Sequence, residues 1–456
     1  DLSIQLYSLY AEAEYCICHF EEVCRVAEIV MKFAKSFQDK QRVYATLIKA
    51  LGVENKLEDA IQLSFNALSQ LDVHCPSPLP DKSVVMKAWI DMKRTLENTS
   101  DAVFLNYKEM SDSNKIAAMK FLHLLILYTF FAKQDYLPII IIQSMQLTLN
   151  HGVCKESCVT FAYCSYLLIA FQDFKGSEHV ARLSVGILEK FKAQEYQSQV
   201  YLCIHLGISC YINNLKLNLE PTMLGYQMGM QTGDIQHAML NAFTHLKLAF
   251  ISGLNLTELR KNIEKFEKQM IEYKQTTVYM HLLPTKWAVS DLILHTNNKM
   301  EQESFMQEGL ETNNLVAVTD VCIYGVIVAY IYNNYELAAA LMQKRRELEK
   351  KMTRITTLYG VIDFYDGLVF LALAHKSSEF EWTSEIRDIL AKMEKFASIG
   401  KSNNEHKLRL LEAEMKSRIG EEGNAIEQYK LAIAASEKNG FIHEQAIANE
   451  RAADFL

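Results

Sequence analysis

Of 456 residues, 17 are Gly and 6 are Pro, so about 5% of positions are backbone breakers, against roughly 12% in average proteins. Such scarcity excludes a sheet-rich fold with many turns and predicts long helices joined by short connections. The net charge of −8 is spread without blocks, and no basic stripe carries interleaved aromatics, which argues against a nucleic-acid partner.

The predicted elements begin with helical hairpins. Phe20-Glu-Glu-Val23 and Leu57-Glu-Asp-Ala60 stand in equivalent settings, 37 residues apart. Each places a bulky residue, two polar positions and a small residue at the start of a helix, and the small residue lets two helices approach closely. Cys75-Pro-Ser-Pro-Leu-Pro80 is the one Pro cluster and must be extended, so a joint is expected there. The stretch 110–113 reads as a helix N-cap ahead of 114–132. The apolar runs 121–132 and 137–142 are separated by Lys133, Gln134 and Asp135. Each run falls short of the ~20 residues a spanning helix needs, so both are expected as core helices.

Farther along, the same helix-start shape recurs at Glu178-His-Val-Ala181, Ile235-Gln-His-Ala238, Tyr335-Glu-Leu-Ala338 and Glu422-Gly-Asn-Ala425. The turns expected before them are Lys175–Gly176, Thr232–Gly233–Asp234, Asn333–Asn334 and Gly420–Glu421, where Gly and Asn tolerate a left-handed backbone. Leu219-Glu-Pro221 opens a helix, and Leu283-Pro284 starts or kinks another. The separations between sites are not clean multiples of one length, so the repeat is degenerate. The last 54 residues, 403–456, read as three helices broken at Gly420–Gly423 and Asn439–Gly440. Ala425, Ile426, Tyr429, Ala432 and Ile433 form an apolar stripe at steps of three and four. The chain opens on Asp1 rather than Met, and its final helix is still running at 452–455, so a piece of a longer protein is expected.

Candidate chemistry is sparse. Cys16, Cys18, His19 and Cys24 look metal-like. On a helix, however, residues two apart point about 200° from each other, so Cys16 and Cys18 do not share an ion there. Cys154 and Cys158 share a helical face near Cys164, without a second pair at zinc spacing. Cys203 and Cys210 share a face that His205 leaves. The ten Cys are expected as buried thiols in a reducing, cytoplasmic setting. Phosphate-loop, dinucleotide, kinase, nucleophile-elbow and His-Glu-x-x-His patterns are absent. His406, beside Lys407, is expected on a helix surface. Glu412 and Glu414 lie on opposed faces, which argues against a paired acid and base, and they are expected to pair locally with Arg409 and Lys416.

Several of these segments resemble the helical repeat region of very large signalling proteins. Those proteins carry a Ser/Thr-kinase-like domain and a predicted ATPase of the STAND/AAA type before the repeats. A GAF domain and often a histidine kinase follow. The resembling stretches are Leu68-Ser-Gln-Leu-Asp-Val73 with Pro76-Ser-Pro-Leu-Pro80, then Gly225-Tyr-Gln-Met-Gly-Met-Gln-Thr-Gly-Asp234 with Phe250-Ile-Ser-Gly-Leu-Asn-Leu256. At the end they are Glu405-His-Lys-Leu-Arg-Leu-Leu-Glu-Ala-Glu414, Ala425 to Ala432, Gly440-Phe441, Glu444-Gln-Ala446 and Asn449 to Ala453. The family's ATP-binding and phospho-transfer residues lie in neighbouring domains, and none maps onto a position here.

The expected fold is all-α, a right-handed α-solenoid of degenerate tetratricopeptide-like helix-turn-helix repeats with about ten or eleven helix pairs, from a repeat of about 40 residues. Its expected segments are 1–80, 81–220, 221–400 and 401–456 of one continuous superhelix. No catalytic, cofactor-binding or metal residue is assigned, and no cofactor or membrane span is expected. The expected function is a non-catalytic protein-interaction and signal-relay scaffold linking an ATPase module to sensor and kinase modules. Its partners would be other domains of the same polypeptide and proteins held in a concave groove. Two alternatives stay open: a stand-alone assembly scaffold outside signalling, and an all-helical ligand-binding or enzymatic domain.

Overall fold

A computed structural model describes residues 2–76, 78–296, 298–352, 358–376 and 383–456. Asp1 and Ser77 of the Pro cluster lie outside the described residues. Among the described residues every regular element is a helix, and the one β feature is an isolated bridge between Glu109 and Val153. The all-α expectation therefore holds.

One turn recurs along the chain. A residue with positive φ ends a helix, and the next residue's N–H bonds the carbonyl five positions back. The pattern holds at Cys18, Asn55, Asp72, Gln172, Lys192, Gly233, Gly253, Lys274, Asn313, Asn333, Gly420 and Gly440. This is the Schellman arrangement, which satisfies a carbonyl that a helix end leaves bare. Nine of these turns pass directly into a new α-helix, starting at Phe20, Leu57, Phe174, Ile235, Thr276, Leu315, Tyr335, Glu422 and Ile442. Phe20, Leu57, Phe174, Ile235 and Tyr335 are buried, so at these five corners the first helical side chain anchors the turn in the core. The turns fall about 20 residues apart from Gln172 to Lys192, Gly233 to Gly253, Asn313 to Asn333 and Gly420 to Gly440.

The expected helix starts at Phe20, Leu57, Ile235, Tyr335 and Glu422 coincide with observed ones. The turn expected at Lys175–Gly176 does not. Gln172 takes the left-handed conformation, Asp173 caps the helix by accepting from the Gly176 N–H, and the helix Phe174–Lys190 is already running at Glu178. The bulky-to-small pattern there is Phe174 to Ser177. Pro284 lies inside the helix Thr276–Leu294 rather than at its start.

The chain divides into two compact units. The first comprises Asp1–Ile204, Leu224–Ala242 and Phe266–Met280. In it Leu2–Cys16, Phe20–Phe33, Phe37–Val53 and Leu57–Ser69 pack in succession. Leu57–Ser69 packs next against Ser113–Ala132, which begins a second succession with Leu137–His151, Ser157–Ala170 and Phe174–Lys190. The helices between, Lys82–Glu97 and Asp101–Leu105, lie instead on Leu137–His151 and Phe174–Lys190. Residues 82–105 are thus an excursion from the helix run, and the joint expected at the Pro cluster falls inside this unit.

By length and composition Ser113–Ala132 is apolar enough to cross a membrane, but 72% of its apolar window is buried within the protein. Its Tyr128 ring sits so close to Gly52 that a β-carbon there would lie 2.1 Å from the ring. The helix earns its hydrophobicity as core.

The second unit comprises His205–Met223, Phe243–Lys265 and His281–Leu456. Here Lys299–Glu311, Leu315–Ile331, Tyr335–Glu349, Tyr359–Lys376, Thr383–Ile399, Lys401–Arg418, Glu422–Asn439 and Ile442–Phe455 each pack on the next. Leu315–Ile331 also touches Tyr359–Lys376, which touches Lys401–Arg418, which touches Ile442–Phe455. Glycines make these approaches close. Gly325 faces Leu341 and Gly367 faces Leu411, each with the neighbouring side chain where a β-carbon would stand.

Candidate functional site

A buried polar cluster of the second unit joins the start of Lys401–Arg418 to the start of Ile442–Phe455. Gly400 precedes the first of these helices because the backbone of Tyr211 crosses it. A β-carbon there would lie 1.7 Å from the Tyr211 carbonyl oxygen. Asn403 then donates to the carbonyls of Cys210 and Asn213 and accepts from the Leu215 N–H, clamping the segment 210–215.

One turn of helix onward, His406 and Lys407 point into the core, each nearly fully buried. Lys407 Nζ donates to the Asn403 carbonyl at 2.5 Å and lies 3.0 Å from Glu444 Oε2. It also sits 4.6 Å from the centre of the Phe441 ring. His406 Nε2 donates to the same Glu444 oxygen, and its ring stacks on Phe441 at 4.7 Å. Phe441 is the residue that follows the left-handed Gly440, so the Schellman corner presents the ring and, three positions later, the carboxylate. Placed in the first turn of its helix, Glu444 also faces the positive end of the helix dipole.

The charges in this cluster oppose burial. Burial works against ionisation of Glu444, but Lys407 and His406 outweigh it and hold the carboxyl well below the usual carboxylate range. Burial pushes His406 down to about 4, helped by Lys407 and resisted by Glu444, so the imidazole is neutral near neutral pH. Burial likewise lowers Lys407, with Glu444 resisting. One oxygen of Glu444 is thus doubly engaged. The other, Oε1, is buried and has no hydrogen-bond partner, with His443 Nε2 3.7 Å away.

Glu444 and His443 line one side of a cavity of about 510 Å³. Phe250, Leu254, Leu292, Ile327 and Tyr365 supply much of its apolar wall, and the exposed Glu450 stands among its lining residues. That volume falls in the range of small-molecule sites, about 300–1,000 Å³. Gly253 belongs to the same wall, with φ +77° and the His443 ring where a β-carbon would stand.

The expectation that His406 lies on the helix surface is overturned: a polar-looking helix start turns inward, where Glu444 accepts from His406 and pairs with Lys407. Glu412 pairs with Arg409 as expected, at 3.0 Å. Glu414 does not pair with Lys416 but is buried, holding Arg451 through both oxygens at 3.1 Å and accepting from the Tyr429 hydroxyl. Further buried pairs in this unit are Lys247–Asp320 at 3.5 Å and Arg345–Asp366 at 2.6 Å.

The cysteine candidates separate. Cys18 lies in the corner after its helix rather than on it, with its thiol donating to the Tyr273 carbonyl, and Cys16 is exposed. Cys154 precedes its helix and Cys158 lies within it, donating to the Lys155 carbonyl. Cys210 donates to the His205 carbonyl, while His205 Nδ1 bonds Asn218 Oδ1. All ten are free thiols, seven of them buried. Among the described residues no group of three or more His, Cys, Asp or Glu is placed to hold a metal ion.

No protein-family model matches the chain, and no curated protein does.

Proposed function

We propose that the chain is a tetratricopeptide-like α-solenoid that serves as a non-catalytic protein-interaction scaffold. The observation that carries this reading is the recurring corner, a left-handed residue closed by a Schellman bond, which in four places recurs about 20 residues after the one before. Two such helices make a repeat of about 40 residues, the size at which helical arrays stack neighbour on neighbour. Within each unit, packing runs mainly between consecutive helices and next-but-one helices, as a stacked array requires. Such arrays offer long surfaces for other proteins, and a shift at one end changes the pitch of the whole. A relay between an ATPase module and sensor or kinase modules follows from the resemblance of the segments named above.

Small-angle scattering tests the architecture. A compact globule of this length has a radius of gyration of about 22 Å. A solenoid is expected to give a clearly larger value and an elongated distance distribution, and a value near 22 Å would overturn it. The relay is tested on the coding sequence to either side: a phosphate loop before it or a GAF-type domain after it supports the relay, and unrelated neighbours remove it.

A further inference from the structure

We infer that the cavity beside Glu444 is a binding site for a small hydrophobic amine, with the ammonium on Glu444 Oε1 and the hydrocarbon body among Phe250, Leu254, Leu292, Ile327 and Tyr365. This inference is independent of the scaffold reading, since it needs the cavity alone.

Three observations converge. The cavity is large enough for a ligand of modest size and its wall is mainly apolar, so a hydrocarbon or aryl body gains by leaving water. Glu444 belongs to the lining, and its Oε1 is a buried carboxylate oxygen with no donor. An acceptor left bare in the interior is costly, and a ligand N–H or O–H removes that cost. Finally, the charged lining residues are Glu444 and Glu450, and none of the lining residues is Lys or Arg. Lys407 lies behind the carboxylate on its other oxygen. A carboxylate ligand would meet two like charges and no cation at the wall. A neutral alcohol would satisfy Oε1 but would gain nothing from Glu450. An amine gains on both counts, and the Phe250 and Tyr365 rings suit a cation at the apolar boundary.

The test is isothermal titration calorimetry on the full chain at neutral pH with three probes of one shape: hexylamine, hexan-1-ol and hexanoate. Hexylamine is expected to bind at least tenfold more tightly than hexan-1-ol, with hexanoate giving no heat of binding. Ala446 is an exposed residue of the cavity lining. Ala446→Trp is expected to abolish hexylamine binding while leaving the melting temperature in place. Glu444→Gln is expected to bring hexylamine to the affinity of hexan-1-ol. Equal affinity for amine and alcohol in the unaltered protein would overturn the amine assignment. Absence of binding, or binding that survives Ala446→Trp, would overturn the site. Should Glu444→Gln fail to fold, the probe comparison and Ala446→Trp still decide.

Discussion

Lys407 and Glu444 lie on different helices and pair at 3.0 Å, each side chain 1% exposed. Removing one partner of such a pair leaves a bare charge in the interior, which typically costs about 3–5 kcal/mol. Lys407→Met is therefore expected to destabilise the second unit by that amount in urea unfolding. The double variant Lys407→Met with Glu444→Leu is expected to recover most of the loss, because no unpaired charge remains. A single variant as stable as the double would refute the pairing.

Stability should fall on mild acidification. Burial pushes His123 and His281 down to about 3 and His406 to about 4. In the unfolded chain each titrates near 6.5. A lowered folded value means that below pH ~6.5 the unfolded chain takes up protons which the folded chain refuses. The stabilisation is complete above that pH and is lost as pH falls toward 4 or 3, by up to ~1.4 kcal/mol per pH unit for each histidine. Glu444, also held low, adds its own loss once pH drops below ~4.3. The urea midpoint should decline from pH 7 to pH 5, and His123→Gln should flatten the decline. A midpoint that stays level over that range would contradict the burial of these rings.

Two glycines should respond differently to alanine. At Gly400 the new methyl meets a backbone carbonyl oxygen, so Gly400→Ala should cost about 3 kcal/mol, the upper part of the usual overpacking range. At Gly420 no atom lies within 4 Å of the new methyl and only the left-handed backbone, φ +81°, is strained, so about 1 kcal/mol is expected. Thermal denaturation of the two variants side by side gives the ranking, and the reverse order would sink the argument.

Lys192 occupies a left-handed corner with φ 48°. An ordinary L-residue there bears roughly 1–2 kcal/mol of strain, only partly offset by the flexibility that Gly adds to the unfolded chain. Lys192→Gly is expected to stabilise by about 0.5 kcal/mol in the urea midpoint. A loss of stability would show that the lysine side chain contributes more than the strain removes.

What the sequence reveals depends on how local the signal is. Phe20, Leu57, Ile235, Tyr335 and Glu422 could be placed as helix starts because the punctuation sits within a few residues of each. The start at Phe174 escaped because its left-handed residue is Gln172, which carries no turn signal, while Gly176 next to it looks like one. His406 escaped for a different reason. On its own helix it stands among Asn403, Asn404, Glu405 and Lys407, which read as a solvated face, and the group that draws it inward arrives 38 positions later. The cavity was not legible because its wall comes from segments spread between Phe250 and Glu450, joined by packing that no spacing rule encodes. Nothing in Glu444 itself announces that one oxygen would be left bare.

The corner that passes from one helix into the next without a spare residue has an evolutionary consequence. Inserting one residue there would break the hydrogen bond that closes the corner and shift the residues that seat the following helix, so that its buried face would no longer meet the same neighbour. Natural length variation and engineered insertions should therefore be tolerated in the Pro-rich stretch of sequence ahead of Lys82 and rejected at corners such as Asn333 and Gly440, which makes this chain a ruler whose divisions resist being moved.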